Sequence, residues 1–332
     1  MSSFAYEYVV FFFSAFVSSL LSFLNWLMRA SPACHKLIKM FDRGKSKVPA
    51  NIPSMEPWSR LSDLVVRLNG LNPGMHTLRG TNCYLIGAGP KRILVDTGEG
   101  VPGFVEHLLG VMRQIGCTGL EAILLTHWHE DHTGGVLDVT YTLGDPNIRV
   151  YKRVNKRPEK FAYENIKDGQ LFRTQSATLE AVYTPGHTTD HVSFILREER
   201  ALLTGDMILG YGTALFDDYD SYMTSLQRIF SMNEEEAFSR LYPGHGPVVE
   251  TARDKIMFYI SHRQQRENQV LKVVKEAGGK PLSALQITWR VYGRLPTSLM
   301  VSGLHHVEQN LRRLKRLKKV EEGWFALSFH AH

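Results

Sequence analysis

The 332-residue sequence predicts an α/β protein whose polar functional groups lie at the ends of its strands. Short runs of β-branched and aliphatic residues recur between residues 64 and 204, and turn-forming residues follow them. Apolar residues recur at helical spacing from Phe104 to Ile115 and from Leu304 to Leu317. With 43% hydrophobic and 22% charged residues, the composition is that of a globular protein.

The N-terminal segment, residues 1–43, contains an uncharged and mostly apolar run at residues 8–28. A helix needs about 20 such residues to span a bilayer, so we predict an N-terminal hydrophobic helix that anchors the chain in a membrane. Arg29 and the lysines after it place the catalytic domain on the cytosolic side by the positive-inside rule. A mitochondrial location is the alternative, because the run is also compatible with an organelle-targeting segment.

Residues 44–60 are rich in proline and polar residues, which predicts a linker to a catalytic body at residues 61–254. Within this body, helical spacing predicts a helix at residues 104–115. Strands are predicted at residues 64–68, 81–86, 92–96, 122–125, 148–151, 178–183, 192–196 and 201–204. This order predicts a strand-rich α/β domain.

Residues 255–332 predict a basic helical module. They contain fourteen Lys and Arg against five Glu, whereas the body between residues 49 and 254 has a net charge of −7. Residues 303–319 have the spacing of an amphipathic helix, and residues 320–327 resemble a short hairpin. Helices followed by a hairpin predict a winged-helix-like module. Its basic face could contact RNA phosphates or a membrane surface, or could simply be a solvated face that caps the body.

The strongest motif is a histidine cluster directly after the predicted strand 122–125. His127 and His129 are two positions apart, so their rings point to the same side of an extended backbone. Asp131 and His132 follow after a turn and can face a second point nearby. Imidazole and carboxylate groups suit Zn²⁺, which takes about four ligands in proteins. A cluster of this kind could serve two adjacent metal ions.

Three further polar residues follow predicted strands or stiff turns downstream. His187 lies in Thr-Pro-Gly-His-Thr, Asp206 ends a predicted strand, and His245 lies in Tyr-Pro-Gly-His-Gly-Pro. Because none has an obvious role in a hydrophobic core, these residues and the histidine cluster together predict a metal centre. The three cysteines are widely spaced and imply neither a disulfide framework nor a thiolate zinc site.

These motifs resemble the metal-binding pattern of the metallo-β-lactamase superfamily. The matching residues are His127, His129, Asp131, His132, His187, Asp206 and His245. From about Leu61 to Val274, the sequence is most similar to the beta-lactamase-like protein 2 family. That similarity is carried by residues 72–74, 77–82, 96–98, 184–188, 242–247 and 259–263.

The resemblance implies a metallo-β-lactamase αββα sandwich with two bound Zn²⁺ ions. The implied ligands are His127, His129 and His187 for one ion and Asp131, His132 and His245 for the other, with Asp206 shared. A bridging hydroxide would attack an electrophilic carbonyl or phosphorus atom. Asp131 is a candidate proton acceptor, and Asp96 would orient a histidine. His191 is expected to orient a neighbouring group or to form a hydrogen bond in the core, and it is also a candidate acid for the leaving group. His76 and Asn82 are expected to line the pocket.

Two classes of substrate are compatible with this chemistry. The resemblance and the basic C-terminal region favour a di-zinc endoribonuclease that cuts single-stranded RNA. The alternative is an acyl-thioester hydrolase, similar to fungal enzymes that release acyl chains from an acyl carrier protein. A glyoxalase-II-like activity fits less well, because the stretch after Asp206 lacks the glutathione-binding pattern. The acidic body disfavours a path for RNA to the metals, whereas the basic end could contact either RNA or an acidic carrier protein.

Overall fold

The computed structural model describes residues 17, 20, 48, 52–236, 238–295, 297–321 and 325–326. The chain divides into two compact units, one of residues 47–260 and one of residues 1–46 and 261–332. The first unit contains two large β-sheets, and the described part of the second unit is mainly helical.

The larger sheet has seven strands in sequential order. They are β1 (Trp58–Arg60), β2 (Val65–Asn69), β3 (Asn82–Ile86), β4 (Lys91–Val95), β5 (Gly119–Leu124), β6 (Arg149–Lys152) and β7 (Glu164–Asn165). The strands β1 to β4 are antiparallel, and β4 to β7 are parallel. Parallel neighbours need crossover connections. These contain α1 (Phe104–Gln114) between β4 and β5, and α2 (Glu130–Thr133) and α3 (Val136–Leu143) between β5 and β6.

The smaller sheet has five strands in the order β12-β11-β10-β9-β8. They are β8 (Leu171–Arg173), β9 (Thr178–Tyr183), β10 (Val192–Leu196), β11 (Ala201–Gly205) and β12 (Arg240–Pro243). The parallel pair β11 and β12 is connected through α4 (Tyr219–Glu236), and α5 (Ala252–Glu276) follows β12. The other pairs in this sheet are antiparallel.

Alternating side chains place apolar residues on both faces of each sheet, as the two-residue period of a strand requires. In β4, Ile93 and Val95 pack in the core between the sheets, while Leu94 packs on the outer face with α1 and α3. In β10, Phe194 faces the inner core and Ile195 joins the outer core with α4 and α5. The four layers of helix, sheet, sheet and helix confirm the predicted α/β fold.

The second unit has a separate core built around two helices, α6 (Ala284–Tyr292) and α7 (Thr297–Arg316). A capping box starts α6: the Ser283 hydroxyl accepts from the Gln286 backbone N–H, and the Gln286 side chain accepts from the Ser283 backbone N–H. The apolar face of α7 contributes Leu304, Val307, Leu311 and Leu314 to this core.

The predicted winged-helix module is not confirmed. Within the predicted hairpin at residues 320–327, residues 322–324 and 327 lie outside the described residues. The described strand β14 (Phe325–Ala326) pairs with β13 (Leu282–Ser283), which precedes α6. This pairing is parallel, and two strands joined by a tight hairpin turn are necessarily antiparallel. The described strands therefore form no wing.

The predicted membrane anchor and the cellular location inferred from it are corrected. Among the described residues, no helix combines the length and the apolar character that crossing a bilayer requires. Within the predicted anchor at residues 8–28, Val17 and Leu20 are described, and the remaining positions lie outside the described residues. The first unit contains all seven predicted metal ligands.

Candidate metal centre

Seven side chains converge from segments that follow β5, β9, β11 and β12. A first donor group consists of His127, His129, His187 and Asp206, whose ligand atoms lie within 4.8 Å of one another. The distance from His129 Nδ1 is 2.9 Å to His127 Nε2 and 3.1 Å to His187 Nε2. Three imidazole nitrogens and a carboxylate around one point form a donor set that suits one divalent cation.

A second donor group consists of Asp131, His132 and His245. His245 Nε2 lies 3.1 Å from Asp131 Oδ2 and 3.3 Å from His132 Nε2. Asp206 connects this group to the first, because its Oδ2 lies 3.4 Å from His245 Nε2 and 3.7 Å from His187 Nε2. The structure therefore brings all seven predicted ligands into one cluster with a shared carboxylate.

Hydrogen bonds outside the cluster fix the orientation of the histidine rings. His187 Nδ1 lies 2.7 Å from the Leu215 carbonyl oxygen, and His132 Nδ1 lies 2.7 Å from Asp96 Oδ2. Because these oxygens only accept, each ring donates its Nδ1–H outward and turns Nε2 towards the cluster. Partners of this kind set the tautomer and the basicity of metal-binding histidines.

Asp96 organises both donor groups from behind. Besides accepting from His132, its carboxylate accepts from the Thr126 hydroxyl at 2.9 Å, and Thr126 Oγ1 lies 2.9 Å from His127 Nδ1. The hydroxyl proton is used on Asp96, so Thr126 Oγ1 accepts from the His127 ring. Asp96 has a φ of 59°, a left-handed conformation that Asp tolerates better than most residues. The predicted orienting role of Asp96 agrees with these contacts.

The two donor groups differ in their electrostatics. Burial, with the charge of neighbouring histidines, holds the pKa of His127 and of His129 well below the ordinary value. Burial also opposes charge on His245, but Asp206 and Asp131 outweigh it and raise its pKa to about 9. The same balance, with Asp206 and Asp96 as the main carboxylates, raises the pKa of His132 well above its ordinary value.

The residues present fit a pair of divalent cations. His127 and His187 donate their Nδ1–H groups outward, so their Nε2 lone pairs both face His129 Nδ1, at 2.9 and 3.1 Å, and one ring nitrogen cannot donate to both. Asp206 Oδ1 is buried and accepts no hydrogen bond from the described residues. Burial would raise the pKa of Asp206, yet the histidines around it hold that pKa well below the ordinary range. A buried site that favours positive charge and offers unshared oxygen and nitrogen lone pairs is suited to metal ions.

Close backbone approach is needed on the His245 side of the cluster. A Cβ atom added to Gly244 would lie 2.4 Å from Asp206 Oδ1 and 2.9 Å from His132 Cε1. Both distances are too short, so a side chain at this position would displace ligands from both donor groups. The Pro-Gly-His-Gly-Pro turn therefore serves the packing of the metal centre as well as its own bend.

The surroundings of His191 suit the expected orienting or core hydrogen-bonding role better than that of an acid for the leaving group. Its ring is fully buried, its Nδ1 lies 2.9 Å from the Thr184 hydroxyl, and its Nε2 accepts from the Asp206 backbone N–H at 3.1 Å. Burial and the neighbouring His187 hold its pKa well below the ordinary value. With both nitrogens engaged and the ring neutral, His191 positions the backbone of Asp206.

The other two residues predicted to line the pocket have different surroundings. Asn82 is buried, and its amide group donates to the carbonyl oxygens of Pro243 and Gly246 at 2.8 and 2.9 Å. It thus holds the turn that presents His245. His76 is exposed, outside both donor groups.

Sequence reasoning missed several residues that support the cluster. The Thr126 hydroxyl connects Asp96 to the His127 ring. The only signal of this role in the sequence is the position of Thr126 next to His127. Lys152 is fully buried in an ion pair with Asp190, whose position beside His191 carries no clear signal. Arg157 stacks on Trp128 next to His129, a contact between segments that a sequence pattern does not reveal.

Comparison with known proteins identifies the family. Residues 76–245 match the family model described as the metallo-β-lactamase superfamily. The chain belongs to this superfamily of hydrolases, and its two donor groups could hold metal ions. In particular, it is similar to the Beta-lactamase-like protein 2 homolog of Caenorhabditis elegans. The two are 41% identical over 281 residues, which cover 83% of this chain and 92% of the relative.

Two further comparisons extend this result. The chain is 37% identical over 256 residues to the Atrochrysone carboxyl ACP thioesterase dmxR1 of Cryptosporiopsis sp., covering 77% of this chain and 76% of that protein. A crystal structure of a beta-lactamase domain protein from Burkholderia ambifaria superposes with a TM-score of 0.67 at 19% identity, covering 83% of this chain and 93% of that one. The structural likeness shows the fold.

The nuclease and RNA-binding predictions are corrected. The family match supports a hydrolase of this fold and adds no nuclease assignment. In the second unit, Arg313, one of the residues predicted to contact phosphate, has its Nε 3.2 Å from a Glu267 carboxylate oxygen. A cation paired in this way contributes less to the attraction of an external phosphate, so the net basic charge of the region overstated its capacity for RNA.

Proposed function

We propose that this protein hydrolyses acyl thioesters at a centre of two Zn²⁺ ions. The observation that carries the proposal is the environment of His191, whose two ring nitrogens are both engaged, so this candidate acid is poorly placed to protonate a leaving group. The complete set of seven donors supports hydrolysis in general. The leaving group then decides which substrate class suits the site.

In thioester hydrolysis, water adds to the acyl carbon and the carbon–sulfur bond breaks. The products are a carboxylic acid and a thiol, and the thiol leaves as a thiolate. A thiol has a pKa of about 8.5, so a thiolate departs without a proton from the protein. The oxygen leaving group of an RNA phosphodiester is far more basic and gains more from a general acid. A site whose candidate acid is buried and neutral therefore suits a thioester better.

Bound zinc ions would lower the pKa of water towards neutrality and polarise the acyl carbonyl. The protein's own residues arrange the donors for this chemistry. Asp96 and Thr126 hold the rings of His132 and His127, and His191 holds the backbone of Asp206. Burial would raise the pKa of Asp131, but His132 and His245 hold it well below the ordinary range, so this carboxylate stays ionised.

The named relative supports this substrate class. The Atrochrysone carboxyl ACP thioesterase dmxR1 is similar to this chain over most of both sequences. By analogy, an acyl chain carried on an acyl carrier protein is the substrate form that we propose. The imidazole and carboxylate donors are those that zinc prefers, which supports zinc as the metal.

The test is a side-by-side assay of the full-length protein loaded with zinc. Its substrates are a panel of acyl thioesters, on coenzyme A and on an acyl carrier protein, and labelled single-stranded RNA. We expect thioester hydrolysis that is lost in the His129→Ala variant, with no metal-dependent cleavage of RNA. Elemental analysis of the same preparations should find about two zinc ions per parent chain.

The His107→Ala variant is the matched control, because His107 lies on α1, belongs to neither donor group, and contacts the Pro57 carbonyl oxygen. It should keep both metal content and activity. Cleavage of RNA that depends on His129, without thioester hydrolysis, would contradict the proposal. Hydrolysis that survives His129→Ala would contradict the metal mechanism itself.

A further inference from the structure

The loop that follows β6 is strongly basic in an otherwise acidic body. Between residues 152 and 160 it contains five Lys or Arg residues and a single Glu. The loop continues to β7 and belongs to the first unit, the same unit as the metal centre. A local reversal of charge beside a site that favours cations calls for a specific role.

Buried ion pairs hold the loop in place at its start. Lys152 is fully buried, with its Nζ 2.8 Å from Asp190 Oδ2 and 3.1 Å from Glu159 Oε1. Asn155 Nδ2 donates to the same Asp190 oxygen at 2.8 Å. A buried pair whose charges are matched by further hydrogen bonds defines one geometry, because any displacement would leave a charge unpaired.

Asp190 ties this loop to the metal centre. Its other carboxylate oxygen accepts from the Thr188 hydroxyl at 2.8 Å, and it lies in the segment between His187 and His191. The basic loop and the segment that supplies a metal ligand are thus fixed to one buried carboxylate. The position of the loop relative to the metal centre is therefore set before any substrate binds.

Arg157 is the residue of this loop that comes next to the metal centre. Its guanidinium carbon lies 3.5 Å from the centroid of the Trp128 ring, and the Trp128 ring lies 4.4 Å, centroid to centroid, from that of His129. The guanidinium is therefore within about 8 Å of a ligand ring. Its backbone N–H donates to Asn155 Oδ1 at 2.9 Å, which links it to the buried pairs.

We propose that Arg157 is a specificity-determining residue that binds a carboxylate on the acyl chain of the thioester substrate. This inference rests on the proposed function. A guanidinium stacked on an aromatic ring keeps its N–H groups in its own plane, the geometry that matches a carboxylate. The buried Lys152–Asp190 pair supplies the rigidity that makes the distance between this charge and the metals selective.

Distance favours the acyl chain over the thiol arm as the source of the anion. The phosphate on a phosphopantetheine arm is about 13 bonds from the sulfur, or roughly 15 Å when extended, as for a chain of four to five residues. The guanidinium lies within about 8 Å of the His129 ring, which is much shorter than that span. A dicarboxylic acyl chain of about eight carbons, in contrast, spans roughly 8–10 Å between its ends.

The experiment compares two substrates that differ by one charge. These are the N-acetylcysteamine thioester of suberic acid and the same thioester with its free carboxyl group methylated. We expect the full-length zinc protein to prefer the acid about tenfold in kcat/KM, mostly through KM, and to lose the preference as salt is added. In Arg157→Gln this preference should disappear, and in Arg157→Lys it should be reduced.

Lys156→Gln is the matched control, because it removes a charge from the neighbouring exposed position and should keep the preference. Thermal unfolding of each variant shows whether it is folded. No preference in the parent, or an unchanged preference in Arg157→Gln, would overturn the inference. Arg157→Gln could instead lose only the preference for coenzyme A thioesters over pantetheine thioesters. That result would assign Arg157 to the thiol arm and would also overturn the inference.

Binding without turnover separates this inference from the proposed function. Suberate and its monomethyl ester each keep one carboxylate for the metals, so their difference in affinity, measured by calorimetry, reports the second carboxylate alone. We expect suberate to bind about tenfold more tightly to the parent and equally to Arg157→Gln. If no thioester is hydrolysed but this difference is found, the proposed reaction fails and the anion site stands. Equal affinities in the parent would overturn the anion site.

Discussion

Both donor groups of the candidate metal centre consist of histidine and aspartate side chains, but the pKa values of their histidines are shifted in opposite directions. In the first group, burial and neighbouring histidines lower the pKa of His127 and His129 well below the ordinary value. In the second, nearby carboxylates overcome burial and raise the pKa of His132 and of His245, that of His245 to about 9. The difference follows from where the carboxylates lie rather than from the histidines themselves.

The two groups therefore differ in whether their histidines must lose a proton before they bind a metal ion. A histidine must be neutral to ligate, so His127 and His129 are ready at neutral pH. His132 and His245 hold protons that a metal ion must displace. In the metal-free protein, the protonated histidines of the second group therefore balance the negative charge of the nearby carboxylates. A metal ion would replace these protons when it binds.

The largest expected effect comes from removing a ligand from either group. We expect both His129→Ala and His245→Ala to lower kcat/KM by more than about 100-fold, beyond the range seen for outer partners of ligands. Elemental analysis should find about one zinc ion lost from each variant. If one variant keeps two ions and full activity, the corresponding group is no metal site.

The next effect is on the pH dependence of the metal-free protein. His245 has its pKa raised in the folded state, so its contribution to the free energy of unfolding is complete below about pH 6.5 and is lost as the pH rises through about 9. His127 and His129 have lowered pKa values, so they destabilise the fold as the pH falls below their unfolded value of about 6.5. The metal-free protein should therefore be most stable near neutral pH.

Thermal unfolding of chelated protein across this range checks the prediction. On the alkaline side, the loss should amount to roughly a few kcal/mol. His245→Gln should reduce the alkaline limb, of which His132 retains a share, and leave the acid limb in place. A metal-free protein that grows more stable between about pH 7 and pH 9 would contradict the raised pKa of the second group.

Asp96→Asn should affect the second group more than the first, because Asp96 contacts His132 directly and His127 only through Thr126. Asn keeps the size of the side chain and tolerates the left-handed backbone. We expect the affinity of the second donor group for zinc to fall by about 10- to 100-fold, as for other outer partners. Competition with a chelator measures both affinities, and an equal loss at both sites would contradict the asymmetry.

The strands and the residues of the two donor groups were the most predictable parts of this molecule. Strands β9 and β10 lie at the residues predicted, 178–183 and 192–196, because buried strands flanked by turn residues carry a local signal. The histidine motif after β5 was equally readable, since metal ligands must be chemically distinctive. The helix α4 and the strand β12 were not predicted, because α4 mixes charged and apolar residues and β12 merges with the Pro-Gly turn.

Contacts between distant segments could not be read from the sequence. The roles of Asp190 and Arg157 depend on which loops meet, and that is decided by the packing of the two sheets. The basic face of α7 was misread for the same reason, since its Arg313 pairs with Glu267 on α5. A local pattern gives the charge of a residue, and the tertiary structure decides which partner uses that charge.

The smallest expected effect is that of Thr126→Val, which tests the support of His127 in the first donor group. Valine has the shape of threonine without the hydroxyl, so His127 Nδ1–H loses its acceptor and Asp96 loses a donor. We expect a cost of about 1–3 kcal/mol in the free energy of unfolding and a loss of zinc affinity of about tenfold at the first group. Thr140→Val, on α3, removes a hydroxyl that donates to the Val136 and Leu137 carbonyl oxygens, outside both donor groups, and should leave zinc affinity unchanged. If Thr126→Val instead weakens the second group more than the first, the hydroxyl acts mainly through Asp96, and the relay to His127 is of little consequence.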